Sequence, residues 1–196
     1  MAPLAPFEYP VEIAHLLVSP EHAYFGRPRD GAADVPTSYP EAAEVVAGKG
    51  LVGDRFFGKA AHMDAAVTLF AAEALEEIAR ELGTGPLDPT LTRRNVVLRG
   101  AELAPLVGEE FTIRSADGDG GDEDAVTLRG GRPAHPCAWM DRVLATGVHA
   151  AMRGRGGVRC MPLSDGVLRR GPAVLVSPVR LDPARAGVAV RRPRLP

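Results

Sequence analysis

Cysteine is scarce in this sequence, with only Cys137 and Cys160 among 196 residues. So few thiols, and no charged and apolar leader at the N-terminus, argue against a disulfide-stapled secreted protein; the expected setting is reducing and cytoplasmic. Long apolar runs are missing too. Charge or glycine interrupts each one well short of the roughly 18 to 20 residues that a membrane span needs, so a soluble protein without a membrane partner is expected. A charge excess is absent, since the formal net charge is -2, and no overall basic field draws the chain to nucleic acid. The five histidines, His15, His22, His62, His135 and His149, are scattered, and neither cysteine has a close cysteine partner, so no zinc pattern appears. There is no phosphate-binding Walker loop, no GxSxG elbow and no HExxH, which disfavours a hydrolase of a familiar kind.

What is abundant is glycine and proline, 22 and 18 residues, and together they cut the chain into short segments. Many short elements joined by turns point to a β-rich fold with a few helices, although an aromatic content of 5% weakens that reading. The length suits one domain, 1–196, with a core over about 10–180 and a basic tail over 181–196. Strands are expected at 11–18 (VEIAHLLV), 66–70 (AVTLF), 95–98 (NVVL), 110–114, 125–129, around VRCMPL and at 174–179. The clearest helix follows the second of these, where Ala74, Leu75, Ile78 and Leu82 fall on one face and Gly83 ends it. The stretch 21–59 reads as a long excursion with a weak apolar patch at 42–47. The acidic run 117–124 (DGDGGDED) lacks the spacing of an EF-hand and reads as a solvated loop between strands. The Arg-rich tail from Arg185 reads as a frayed terminus.

The stretch PAHPCAWM, residues 133–140, carries the most chemistry. Proline suits the first turn of a helix, and Cys137 directly after Pro136 would then meet free N–H groups and the positive end of the helix dipole, which favour a thiolate. Arg132 and His135 stand close enough in sequence to act the same way. A working thiol and a buried structural cysteine both remain open for Cys137. Cys160, inside an apolar strand-like run, reads as a core thiol. A second feature is clustered arginine. Arg93 and Arg94 precede Asn95 at a strand start, and Arg153, Arg155 and Arg159 surround the Gly-rich turn GRGG, an arrangement that suits an anion but is also what a solvated surface looks like.

Taken in order, VSPEHAYFG near the N-terminus, GLVGDRF at 50–56, RRNVVLRGAELAPLVGEEFTI at 93–113, and HPCAWMDRV followed by GRGGVRC resemble the MOSC domain, named for the C-terminal part of molybdenum cofactor sulfurase. The resemblance runs over roughly 10–180. It implies a MOSC-type β-barrel with peripheral helices, and a link to the molybdenum cofactor, a pterin that carries a phosphate and a dithiolene. It implies either a sulfur carrier, receiving sulfur through a cysteine from a pyridoxal-phosphate cysteine desulfurase, or a cofactor-binding protein with cysteine on molybdenum. That cysteine falls on Cys137. Arg93, Arg94 and Arg132 would hold the pterin phosphate; Asn95, Asp54 and Arg55 would shape the pocket, with His135 beside the thiol. The acidic insertion departs from the family pattern, and the chain lacks the desulfurase and N-terminal barrel-type domains of longer relatives. A partner is therefore expected: a desulfurase or a molybdoenzyme, or an electron donor if the protein is a small molybdenum reductase acting on N-hydroxylated substrates. A non-catalytic module that binds another anion, with Cys137 structural, is the alternative from a different class.

Overall fold

The computed structural model describes residues 6–116 and 124–190. Seven strands close into a barrel in the order β1 (Phe7–Leu16), β10 (Gly171–Ser177), β6 (Glu110–Ser115), β7 (Val126–Pro133), β8 (Val158–Pro162), β4 (Val67–Ala71) and β5 (Val96–Arg99), with β5 returning to β1. Closure removes the unpaired edges that an open sheet must otherwise protect. Every neighbouring pair is antiparallel except β4 and β5. A parallel pair needs a crossover, which helix α1 (Ala72–Leu82) begins. A small second sheet orders β3 (Gly50–Leu51), β2 (Ala42–Val46) and β9 (Gly166–Arg169). Short helices α2 (Trp139–Val143) and α3 (Val148–Ala151) complete the elements used below.

The alternation expected of half-buried strands puts Ile13, Leu69, Leu98, Phe111, Ile113, Leu128 and Leu175 inside the barrel with at most 2% of their surface exposed. Each such side chain contributes about 1.5–3 kcal/mol. Strand β4 departs from alternation because all five of its residues are buried. Its inward face fills the barrel with Val67 and Leu69, and its outward face, through Phe70, packs with Leu75 and Ile78 of α1, Trp139 and Met152. Strand β4 is therefore covered on both faces, which is why AVTLF has one polar residue, Thr68, and no charge.

Helix α1 matches the expected stripe for Ala74, Leu75 and Ile78, and ends at Gly83 in the left-handed region with φ 66°. Leu82, expected on the buried face, is instead exposed at the rim. The weak apolar patch at 42–47 is strand β2, and β9 had no expected counterpart. Strands β6 and β7 pair as a hairpin around the acidic run. Residues 117–123 of that run lie outside the described residues, while Asp124 pairs with Arg169 at 2.9 Å.

Two further expectations change. The basic tail is not frayed over its described part: the Val190 N–H donates to the Gly154 carbonyl at 2.9 Å, Arg185 pairs with Glu102, and Gly187 lies against the backbone of Glu73 and Ala74. Arg191, Arg192 and Arg194 lie outside the described residues. The glycines of GRGG serve close backbone contact. A Cβ on Gly156 would stand 2.0 Å from the Ala134 carbonyl oxygen, and one on Gly157 2.0 Å from that of Leu69. These glycines let β8 and the chain after β7 lie against neighbouring backbone, a packing reason that the sequence pattern does not distinguish from an anion-binding turn.

Candidate functional site: an arginine-lined cleft

Two loops and strand β8 bring arginine to one place at the β4–β5–β8 side of the barrel. The turn before β5 begins at Asp88, whose carboxylate accepts the Thr90 N–H at 2.8 Å, with Pro89 in its first position. It ends at Arg93, which has φ 54° and is the one non-glycine residue with positive φ among the described residues. A side chain in that region costs of order 1 kcal/mol or more and persists only where its surroundings hold it. Arg93 donates to the Thr37 hydroxyl and the Glu21 carbonyl, both at 3.1 Å. Its guanidinium also lies over Tyr24, 5.8 Å from the ring centroid.

Arg94 follows and donates to the His135 carbonyl at 3.1 Å. Arg55 comes from the turn after β3. Arg159 comes from β8, opposite Thr68 of β4. All four arginines, with Cys137, His22 and His135, line a cleft of about 250 Å³ that no aspartate or glutamate lines. At roughly 30 Å³ per water, that volume admits an oxyanion-sized group with its hydration, or one end of a larger ligand.

Charge in this cleft is poorly compensated. Arg55 Nε and Nη1, Arg93 Nε and Arg94 Nε are buried without a hydrogen-bond partner. Arg159 makes no side-chain hydrogen bond or ion pair with a described residue. Burial, with the neighbouring Arg159 guanidinium, pushes Arg94 down to about 10, while a thiolate on Cys137 pulls the other way. Burial also lowers Arg55, against the attraction of Asp54, and lowers Arg159 with help from Arg132. Arg55, Arg94 and Arg159 nonetheless stay charged at neutral pH, because a guanidinium holds its proton far above it. Four crowded guanidiniums in a chain of net charge -2 form a local cationic well suited to an anion.

The expected site residues divide. Arg55, Arg93, Arg94, His135 and Cys137 meet in the cleft. Asp54 and Asn95 stand behind its lining. Asn95, 2% exposed, accepts the Thr68 N–H at 3.0 Å and donates to the Leu17 carbonyl at 3.3 Å and Asp54 Oδ2 at 3.1 Å. Asp54 also accepts the Phe56 N–H at 3.0 Å and lies 3.7 Å from Arg55 Nη1. Both side chains are hydrogen-bonded within the protein and hold Arg55 and β4 behind the lining. Arg132, expected on the phosphate, lies outside the lining and faces Asp64 at 3.4 Å, with both side chains more than half exposed.

The expectation for Cys137 also changes. Helix α2 starts at Trp139 and has five residues, so Cys137 precedes the residue that caps it rather than lying in its first turn. The Cys137 carbonyl accepts the Met140 N–H at 3.0 Å. Gly147 precedes α3 with φ 95°. What sets Cys137 apart is exposure beside arginine, not a helix dipole. Cys160 is fully buried as expected, and burial pushes its thiol up.

Of the three arginines around GRGG that the sequence offered to an anion, Arg159 alone lines this cleft; His22, Thr68, and the stacked pair Tyr24 and Trp139, whose ring centroids are 5.4 Å apart, had no expected role. The period-2 pattern Val158–Arg159–Cys160 put Arg159 outside the barrel. Only the packing of the surrounding loops makes that outside face a cleft.

A closed, mainly antiparallel seven-stranded barrel, flanked by few helices and carrying an exposed cysteine in an arginine-lined cleft, defines the class of protein. The chain belongs to the MOSC domain family, whose pattern matches residues 48–175. Its fold is similar to that of the YuaD protein from Bacillus subtilis, with a TM-score of 0.66 at 16% identity over 89% of this chain and 100% of that one. It is also similar to YiiM from Escherichia coli, with a TM-score of 0.53 at 19% identity over 93% and 76% of the two chains. YiiM from Geobacillus stearothermophilus gives 0.55 at 16% over 84% and 74%. No curated protein matches the chain by sequence. Among the described residues, no helix is long and apolar enough to cross a membrane, and no group of three or more His, Cys, Asp or Glu side chains could hold a metal ion.

Proposed function

We propose that this MOSC protein binds the anionic molybdenum cofactor, or carries sulfur for metal–sulfur centre assembly, at Cys137. The observation that carries the reading is the convergence of Arg55, Arg93, Arg94 and Arg159 on the cleft that Cys137 borders. Buried guanidinium nitrogens without partners suit phosphate or oxo groups, and a thiolate suits a soft metal. When bound, the cofactor would supply two-electron redox chemistry at its metal. The chain's own part is positional. Arg94 and Arg159 would neutralise the ligand's charge, the Asp54–Asn95 network would fix Arg55, and Cys137 would present its sulfur.

For the carrier role, the Cys137 thiolate attacks the outer sulfur of a partner desulfurase's persulfide. One S–S bond forms, the donor's S–S bond breaks, and the electron pair leaves on the donor thiolate, so no external oxidant is needed. A non-catalytic anion-binding module is favoured by one observation, the position of Cys137 before a helix too short to activate it.

Metal analysis and intact mass of protein expressed with cofactor supply and purified without reductant test the proposal. Bound molybdenum lost in Cys137→Ser supports the cofactor role, and one added sulfur atom lost in that variant supports the carrier role. Wild-type protein with neither, or a variant loaded as well as wild type, overturns both.

A further inference from the structure

A second cavity, larger than the first, lies on the other side of the segment Pro133–Pro136 and shares His135 with the arginine cleft. Its volume is about 550 Å³, within the range of small-molecule sites, which runs from about 300 to 1,000 Å³. One wall is aliphatic, from Leu103, Ala104, Val107, Val188 and Val190. The floor is backbone at Gly154, Gly156 and Gly157, held in place by the contacts with Val190, Ala134 and Leu69. A Cβ on Gly154 would come 2.3 Å from the Val190 carbonyl oxygen. The described part of the C-terminal segment thus builds this site instead of trailing from the barrel.

Charge within the cavity is selective. Arg185 is neutralised by Glu102 at 2.9 Å, and Arg155 by Glu81 and by the Ala151 carbonyl. Arg153 lines the same cavity, and its side chain forms no hydrogen bond or ion pair with a described residue. One uncompensated guanidinium at the edge of an apolar chamber complements a ligand with an apolar body and a single negative group. The arginine cleft complements the opposite, a small and highly charged anion.

We infer that this cavity is a separate binding site for a small organic monoanion, whose carboxylate or similar group pairs with Arg153 and whose apolar body lies against Leu103, Val107 and Val188. The ligand's far end would approach the arginine cleft along His135. The site stands independently of what that cleft holds.

Naphthoate and its neutral carboxamide, titrated into the isotope-labelled full chain, test the assignment by amide chemical shifts. Saturable shifts at Gly154, Gly156, Gly157 and Val188 are expected with naphthoate. Arg153→Gln should weaken naphthoate at least tenfold while leaving the carboxamide unchanged, and Arg159→Gln should alter neither. Arg153 is exposed, so its replacement leaves the fold intact, which the variant's own spectrum verifies. Absence of saturable shifts, equal naphthoate affinity in Arg153→Gln, or shifts that centre on Cys137 and vanish in Arg159→Gln would each overturn the inference.

Discussion

Asn95 donates its side-chain amide to the Asp54 carboxylate at 3.1 Å across 41 residues of chain. This bond ties the turn after β3 to the start of β5, and the same amide oxygen accepts from Thr68 of β4. The motif at 50–56 and the start of the one at 93–113 thereby meet in one buried junction. Asn95→Ala would leave the Thr68 N–H, the Leu17 carbonyl and the Asp54 carboxylate each short of a partner. The expected cost is about 3 kcal/mol of stability, read as a lower urea midpoint. A loss within the error of the unfolding fit would mean that the junction is not structural.

The two cysteines should respond oppositely. Cys137→Ser, at an exposed position, should leave the unfolding midpoint unchanged while removing bound metal or sulfur. Cys160→Ser places a hydroxyl in the barrel interior, where only a sulfur contact to the Val158 carbonyl at 3.8 Å exists, and should cost about 1–3 kcal/mol with ligand loading unaffected in the folded fraction. A maleimide reagent should label one cysteine in the native protein and two after denaturation.

Arg159→Gln should separate stability from binding. Relief of the burial of a charge, and of its repulsion with Arg132, outweighs the lost attraction to Asp64 and should raise the stability of the ligand-free protein by about 0.5 kcal/mol. The same change removes a charge-assisted contact to the anion and should weaken molybdate or phosphate binding about tenfold or more. Calorimetry and chemical denaturation on one preparation read both signs. Lower stability together with unchanged binding would remove Arg159 from the site.

Acid should strengthen anion binding through His22. Burial lowers its pKa from 6.5, as do Arg55 and Arg93, and its Nδ1 accepts the Tyr24 N–H at 3.0 Å, a bond that a doubly protonated ring cannot keep. The folded pKa is thus below the unfolded one. His22 therefore contributes stability that is present above pH 6.5 and is lost as pH falls through the folded value. A bound anion favours the protonated ring, so sulfate, fully ionised across this range, should bind more tightly at pH 5.5 than at 7.5. His22→Gln should flatten both profiles; an unchanged pH dependence in that variant would assign the effect elsewhere.

Much of the barrel was legible because its elements are locally determined. The apolar runs at 66–70 and 95–98 lie within or beside observed strands, α1 follows its stripe from Ala74 to Ile78, and Cys160 lies inside as its apolar flanks require. What the sequence left open shares one cause, the absence of any local signal for a distant neighbour. Asp54 and Asn95 have the composition of ligand residues, and only the folded chain uses up their hydrogen-bonding groups on each other. The GRGG turn has the composition of an anion loop, and its glycines instead admit backbone at 2.0 Å. Arg132 and Arg159 differ by no sequence rule, yet the pairing of β7 with β8 leaves one facing Asp64 and the other lining the cleft.

By itself the sequence determined the strand and helix periods, the buried thiol of Cys160 and the ordered motifs of a MOSC domain. These depend on side-chain spacing within a few residues, where burial is settled by period. Tertiary structure alone decided that β4 and β5 lie parallel in a closed barrel, that four arginines from distant segments converge beside Cys137, and that residues 181–190 wall a second cavity. Those arrangements depend on contacts between segments far apart in the chain, which become definite only once the barrel is closed.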